Sequence, residues 1–315
     1  MTTRTTPVRP WTERLRADTR HTLREIRRHR AHYAFMAPYA VLFIAFTLLP
    51  VIMAMYLSFT SFNLLEAPVW QGMRNYYRLF LNDDVFLIAF KNTVIMACII
   101  GPVGYALSFL FAWLINELTH FMRVIFTIIF YAPSLAGGML TIWALFFSGD
   151  STAFVNGTLL RLNLITEPIV FFQNTGYMMP LVIIVSLWMS LGTTFLSFIA
   201  GFQGVDKQYY EAAAIDGLRN RWQELWFITL PLLRPNLLFG AVMSITSAFS
   251  VGSVSTALCG FPSTEYAVHT LMNHLEDHGT IRYEMGYACA IATVLFLMML
   301  LSNMAIQRLL RKVGE

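Results

Sequence analysis

Two rows of hydroxyl side chains are the residues of this sequence whose types and spacing could do chemistry. Ser186, Ser190, Thr193 and Ser197 follow the spacing i, i+4, i+7 and i+11, which places them on one face of a helix. Ser and Thr oxygens donate and accept hydrogen bonds without carrying charge, so such rows suit a neutral polyol in a medium of low dielectric constant. The alternative is that they only allow helices to pack closely. We predict a substrate path lined by Ser186, Ser190, Thr193, Ser247 and Ser250.

The stretches that carry these hydroxyls are long and apolar. The chain has 315 residues, of which 57% are hydrophobic and 13% charged, whereas soluble domains have about 25% charged residues. This composition excludes a soluble globular domain and a disordered chain. About 20 apolar residues cross the hydrocarbon core of a bilayer. The sequence predicts an all-α integral membrane protein with six transmembrane helices, over residues 33–59, 87–114, 124–147, 179–202, 237–258 and 285–306.

Lysine and arginine are distributed unevenly between the two sides that six spans define. Residues 1–32 carry nine arginines, and their side of the membrane carries 17 of the basic residues against four on the other. Cytoplasmic loops hold the excess of basic residues, so both termini are predicted to be cytoplasmic. We divide the chain into a basic arm at 1–32 beside anionic lipid, a six-helix domain at 33–306 and a cytoplasmic tail at 307–315. No nucleic-acid partner is expected.

The spans contain little that could couple transport to an ion gradient. Lys91 is the one ionisable side chain inside the predicted spans, and no Asp, Glu or His lies there. Carriers that use protons or sodium commonly place such groups at membrane depth. The chain also has no GxxxxGK[ST] phosphate loop. Energy for active transport would therefore arrive from another subunit through a cytoplasmic contact.

The cytoplasmic loop 203–235 carries the most specific motif. It contains Glu211-Ala212-Ala213, then Gly217, then Ile228-Thr229-Leu230-Pro231. Its composition predicts a short alanine-rich helix that breaks at Gly217, and a second helix that begins near Arg219 and meets Pro231. These residues resemble the EAA loop of permease subunits of binding-protein-dependent ABC importers. The family pattern has nine residues between the glycine and the isoleucine, and this chain has ten.

Further stretches resemble the carbohydrate branch of that family, which includes maltose, multiple-sugar and glycerol-phosphate permeases. They read Trp70-Gln71-Gly72, Asn75-Tyr76, Asn92-Thr93, Met285-Gly286-Tyr287-Ala288 and Ala290-Ile291-Ala292. The resemblance implies a permease of the bacterial cytoplasmic membrane that imports a di- or oligosaccharide by alternating access. It also places the sugar-contacting positions near the five hydroxyls named above.

The resemblance further implies the partners. A coupling element would be seated in a cleft of an ATPase subunit, and it comprises Glu211, Ala212, Ala213, Asp216, Gly217, Leu230 and Pro231. The complex would contain a second homologous permease as a heterodimer, two ATPase subunits and an extracytoplasmic solute-binding protein. This chain would bind no cofactor and would not be an enzyme, because ATP and Mg are bound by the ATPase.

Two other functions are alternatives to this one. An ion-gradient-driven secondary transporter of a small polar solute would leave the EAA loop without a purpose. A membrane-embedded enzyme would need clustered His, Asp or metal ligands. The one observation in its favour is the loop with His274 and His278, four residues apart. Since this loop lacks HExxH and is predicted to face outward, we interpret it as a docking or gating loop, with no metal ligands.

Overall fold

The computed structural model describes residues 29–136 and 138–311, without the side chains of residues 310 and 311. Residues 1–28 of the predicted arm and 312–315 of the predicted tail therefore lie outside the described residues. The chain divides after Tyr56 into two compact units, and each is described by itself.

The first unit contains one long apolar helix, α1 (Arg30–Leu57). The helix widens into a π turn at Ile44–Leu48, directly before Pro50. Proline has no backbone N–H and cannot complete the hydrogen-bonding ladder of a regular helix, and wide turns are one way in which helices accommodate such a residue. The predicted span at 33–59 is thus a single helix.

The second unit is almost entirely helical, with one short antiparallel pair of strands, β1 (Thr60–Ser61) and β2 (Val69–Trp70). Its first helices are α2 (Arg74–Leu81), α3 (Asp84–Asn116), α4 (His120–Leu135), α5 (Met139–Phe146) and α6 (Phe154–Arg161). The next are α7 (Thr175–Met189), α8 (Thr193–Gln203), α9 (Lys207–Ile215) and α10 (Arg221–Leu232). The last are α11 (Arg234–Phe249), α12 (Gly252–Cys259), α13 (Leu271–Glu276) and α14 (Met285–Arg311).

The number of membrane spans agrees with six. By length and composition, four described helices can cross a membrane, namely α1, α3, the α7–α8 stretch and α14. The number reaches six when each of two bent pairs is taken as one span, α4 with α5 and α10 with α11, the latter bent by 79°. The protein is therefore an all-α membrane protein.

Three predicted spans contain interruptions of the helix. The span at 124–147 is interrupted between Leu135 and Met139, and Pro133 lies in the last turn of the helix before this interruption. The span at 179–202 is interrupted between α7 and α8, and the span at 237–258 between α11 and α12. Apolar composition fixes the length of a crossing, but it does not show where the backbone leaves the helix.

Helix α3, like α11, contributes to all three buried clusters of the second unit. One cluster joins it to α2, α11 and α14, through Phe86, Leu79, Ile245 and Ile291. A second joins it to α7, α11 and α12, through Met96, Val182, Ala248 and Val254. The third joins it to α8, α10 and α11, through Ala112, Phe198, Leu225 and Leu237.

Two glycines allow the closest helix approaches around α3 and α8. A Cβ atom at Gly104 would lie 2.7 Å from Ser190 Oγ, and one at Gly240 would lie 2.8 Å from the Phe198 ring. Small residues of this kind permit tight packing between membrane helices. The first approach brings the polar end of α7 directly against α3.

Candidate functional site

The five predicted path residues surround one cavity of about 200 Å³ in the second unit. Ser186 and Ser190 reach it from the end of α7, Thr193 from the start of α8, and Ser247 and Ser250 from the end of α11. The structure thus brings together residues more than fifty positions apart in sequence. Their contact with a substrate stays a prediction.

The cavity lies where two helices break. Ser190 is the residue after α7 and Ser250 the residue after α11. At membrane depth, interrupted backbone is tolerated where it is buried in protein or lines a polar cavity, because lipid cannot satisfy its hydrogen bonds. The two interruptions therefore indicate a site that handles polar groups.

The prediction that Ser186, Ser190, Thr193 and Ser197 share one uninterrupted helical face was wrong. The helix stops at Met189 and begins again at Thr193, so Ser197 lies outside the cavity lining. The backbone carbonyl of Ser197 accepts a 3.0 Å hydrogen bond from the Asn236 side chain.

Sequence reasoning missed eight lining residues, among them Ser134 of α4 and Ile100 of α3. Ser134 follows Pro133 near a helix end, which was a usable signal. Ile100 is an ordinary apolar residue of a span, and nothing in the sequence distinguishes it.

The hydroxyls of the cavity differ in what they can still bind. Ser190 Oγ donates to the Leu187 carbonyl at 2.7 Å and Ser250 Oγ to the Thr246 carbonyl at 2.9 Å. Their oxygens keep free lone pairs, so they can accept from a hydroxyl of a ligand. Ser186 Oγ is buried and has no hydrogen-bond partner within the described chain. An unpaired buried hydroxyl costs about 1–3 kcal/mol, and a polar ligand in this cavity would offer it a partner.

A second feature, the segment from Asp206 to Leu232, contains the predicted EAA residues. Asp206 caps α9 by accepting from the Gln208 N–H at 3.1 Å. The helix ends at Gly217, whose φ of +96° lies in the left-handed region. Leu218 N–H donates to the Ala213 carbonyl at 3.0 Å and Gly217 N–H to the Ala214 carbonyl at 3.3 Å. This is a Schellman turn, in which glycine is favoured because it has no Cβ.

Helix α9 presents most of its residues to solvent. Glu211, Ala212 and Asp216 are exposed, Ala213 is buried, and Ile215 is 87% exposed. A single exposed apolar side chain is normal on a protein surface. The docking role predicted for this element is not settled by exposure and stays a prediction.

Helix α10 follows at once and holds α9 in place. Tyr210 Oη and Thr229 Oγ1 are hydrogen bonded at 2.9 Å. Leu230 is half-buried and Pro231 exposed at the end of α10. Beside both helices lies a polar groove of about 570 Å³, which Glu211, Glu117 and Arg221 help to line.

The extra residue between Gly217 and Ile228 coincides with a π turn at Leu225–Thr229. A π turn closes with a hydrogen bond one residue longer than that of an α turn. It can therefore take up one added residue while the following residues keep their direction. This gives a physical account of the departure from the motif spacing.

A third feature lies at the start of α3, and sequence reasoning missed its central residue. Asp83 caps α3 by accepting from the Phe86 N–H at 2.9 Å, and its other oxygen contacts His274 Nε2 at 3.0 Å and accepts from Tyr287 Oη at 2.6 Å. His278 Nδ1 lies 2.8 Å from Glu284. We call Asp83, His274 and His278 the Asp83 cluster.

Burial and hydrogen bonds control the charge states around the Asp83 cluster. Burial alone would raise the pKa of Asp83, but hydrogen bonds from His274, Tyr287 and the Phe86 N–H outweigh it and hold the pKa well below its usual range. Burial lowers the pKa of His278 despite the hydrogen bond to Glu284. The neighbouring His269 is also buried, which lowers its pKa to about 4.

Known proteins resemble this chain over most of its length. Residues 104–315 match the family model described as binding-protein-dependent transport system inner membrane component. The probable ABC transporter permease protein YesP of Bacillus subtilis is 31% identical over 286 residues, covering 89% of this chain and 90% of YesP. The arabinooligosaccharides transport system permease protein AraP of the same organism is 31% identical, covering 87% and 86%.

A solved structure shares the fold. It is a chain of a bacterial alginate ABC transporter, in complex with an alginate pentasaccharide-bound periplasmic protein. The match has a TM-score of 0.70 at 24% identity, and it covers 93% of this chain and 99% of the other.

Proposed function

The chain belongs to the family of binding-protein-dependent transport system inner membrane components, and from this we propose that it is the permease subunit of an ATP-driven importer of a di- or oligosaccharide. The observation that carries the substrate class is the cavity at the two helix breaks. Seven Ser and Thr residues line it, and neutral hydroxyls pair with the hydroxyls of a sugar without the cost of burying a charge. The names of AraP and of the alginate transporter support the same class.

Alternating access would be driven from the segment that contains α9. An exposed helix with a fixed Schellman turn is a rigid lever, and Tyr210 transmits its movement to α10. Helix α10 leads through a 79° bend into α11, and α11 ends at Ser247 and Ser250 of the cavity. Movement of the lever would thereby reach the sugar path through packed helices.

The proposed complex contains a second homologous permease, two ATPase subunits and an extracytoplasmic solute-binding protein. ATP and Mg would be bound by the ATPase subunits. The solute-binding protein is supported by the family description and by the alginate transporter complex. Both termini would lie in the cytoplasm of a bacterium, where the basic residues are concentrated.

Uptake by the purified complex in proteoliposomes tests this proposal. The chain is expressed with the proteins of its operon, and uptake of a panel of labelled oligosaccharides is followed with ATP inside the vesicles. Uptake that needs ATP and the solute-binding protein is the expected result. Uptake that proceeds without ATP and collapses with an uncoupler would instead identify a secondary transporter.

A matched pair of variants tests the path itself. Ser247→Ala removes a hydroxyl that faces the cavity, and Ser253→Ala removes an exposed hydroxyl outside its lining. Loss of one hydrogen bond of about 0.5–1.5 kcal/mol predicts a 2- to 12-fold rise in the sugar concentration for half-maximal uptake. Equal behaviour of the two variants would contradict the placement of the path.

A further inference from the structure

The Asp83 cluster combines three metal-binding side chains from distant parts of the sequence. Asp83, His274 and His278 each offer one ligand atom, and these atoms lie within 4.8 Å of one another. The two imidazole rings are 4.6 Å apart between centroids, and each histidine is 2% exposed. Such a group of donors is enclosed rather than spread over a surface.

Local structure explains why the three donors meet. Asp83 is fixed as the N-cap of α3. His274 lies in α13, whose first turn is held by a capping box between Thr270 and Asn273. His278 follows one turn later, where α13 continues into a π turn, so both imidazoles point from one helical face.

We propose that Asp83, His274 and His278 form a binding site for a divalent transition-metal cation of the zinc class. Two imidazoles and one carboxylate are the protein ligands that such cations take with one position left open. Bonds of about 2.0–2.2 Å in a tetrahedral site hold ligand atoms about 3.3–3.5 Å apart. The observed Asp83–His274 distance is 3.0 Å, so small side-chain movements would admit the cation between them.

Groups around the cluster are arranged as outer partners of such a site. His278 Nδ1 lies 2.8 Å from Glu284, which Arg78 contacts at 3.1 Å. A carboxylate on Nδ1 leaves Nε2 of that ring as the free donor, an arrangement common behind zinc-bound histidines. Tyr287 Oη donates to the Asp83 carboxylate at 2.6 Å, which orients a ligand oxygen in the same way.

A buried nitrogen of the cluster also lacks a hydrogen-bond partner among the described residues. His274 Nδ1 is buried and has no hydrogen-bond partner in the part of the chain that the structure describes. Buried polar atoms are normally paired. The ring can therefore turn to offer either nitrogen to a cation while giving up a single hydrogen bond, the one to Asp83.

A bound cation would tie α3, α13 and the π turn into one unit. These elements meet at the start of α14, where Tyr287 and Glu284 lie. The site does not require the transport function, and it is measured as binding to the whole purified protein. Its failure and the failure of the proposed function are therefore separate results.

The first test is zinc binding by the full-length protein in detergent. The protein is stripped with a chelator, titrated with ZnCl₂ by calorimetry, and analysed for metal by mass spectrometry. One zinc per chain, lost in Asp83→Asn, His274→Gln and His278→Gln, is the expected result. His269→Gln is the matched control, because His269 is equally buried beside His274 and is not a ligand.

A further variant separates outer partners from ligands. Glu284→Gln keeps a hydrogen-bond acceptor near His278 and is expected to weaken zinc binding by about 10- to 100-fold, less than loss of a ligand. X-ray absorption of the zinc-loaded wild type reports the ligands without any mutation, and two histidines with oxygen ligands are expected.

The proposal is overturned by any of three results. They are no bound zinc after stripping and reloading, zinc that persists when Asp83, His274 and His278 are all replaced in one variant, and an X-ray absorption spectrum that shows no histidine ligand. If a variant elutes as an aggregate in gel filtration, its zinc content is not interpreted. The X-ray absorption spectrum of the zinc-loaded wild type then decides the question alone.

Discussion

Replacing Gly217 with alanine isolates the backbone requirement of the α9 turn. Gly217 has φ of +96°, and a Cβ atom there would meet nothing within 4 Å. The substitution therefore adds no collision, and its whole effect comes from the conformational preference of a residue with a Cβ. The turn is held by the two hydrogen bonds from Gly217 and Leu218 to the carbonyls of α9.

The size of the effect follows from that preference. A residue with a Cβ in the left-handed region costs about 1–2 kcal/mol, which corresponds to about a 5- to 30-fold lower population of the Schellman turn. If the ATPase subunit binds only the formed turn, its apparent affinity for the permease falls by the same factor. The cost is local, so the melting temperature of the rest of the chain is expected to change little.

The assay measures ATPase binding, ATP hydrolysis and sugar uptake in the reconstituted complex. Two alanine variants serve as controls. Gly204→Ala lies near α9 at an ordinary negative φ, so it tests the substitution without the strain. Gly72→Ala has φ of +61° and nothing within 4 Å, so it tests the strain away from α9.

The outcome that refutes the reasoning is specific. Wild-type uptake and ATPase affinity in Gly217→Ala would show that the left-handed turn is not needed for coupling. The same loss in Gly204→Ala would show that the segment tolerates no added methyl group, whatever its backbone angles.

Three further predictions concern single side chains. Ser186→Ala removes an unpaired buried hydroxyl, so the melting temperature of the sugar-free protein should rise or stay level while half-maximal uptake needs more sugar. Burial lowers the pKa of His269 to about 4, from about 6.5 in the unfolded chain. In a buffer that contains a chelator, its contribution of about 3 kcal/mol to folding is therefore present above pH 6.5 and is lost as the pH falls to 4. His269→Phe should flatten the decline of the melting temperature on acidification. Tyr210→Phe breaks the hydrogen bond to Thr229, worth about 1 kcal/mol, and should speed amide hydrogen exchange in α9, whereas an unchanged rate would mean that this bond does not hold the helix.

The elements that depend on local sequence were predictable. Long apolar stretches specify membrane helices whatever lies beside them, so six spans could be read from composition alone. The α9 turn was equally local, because alanines favour helix and glycine ends it through its own backbone freedom. Neither feature requires knowledge of what packs against it.

The continuity of the spans depends on tertiary structure and was not predictable in the same way. Ser190 to Gly192 leave the helix at a point where Gly104 of α3 brings a second backbone close to Ser190. That approach involves residues from two helices, so no single window of sequence contains it. The five predicted hydroxyl residues nevertheless line one cavity, because the polar residues that flank each break face it. Their contact with a substrate stays a prediction.

The Asp83 cluster shows how a site is overlooked when its members are judged one at a time. His274 and His278 were visible as a pair, but two histidines on one loop are a weak sign of metal binding, and the third donor lies 191 residues before His274. Asp83 reads in the sequence as a helix cap, and it does cap α3 with one oxygen. Its second oxygen contacts both His274 and Tyr287, because a carboxylate can accept several hydrogen bonds at once. A cap residue at the end of a membrane helix is therefore worth testing against the loops that fold over it, since the cap fixes its position more firmly than a loop could.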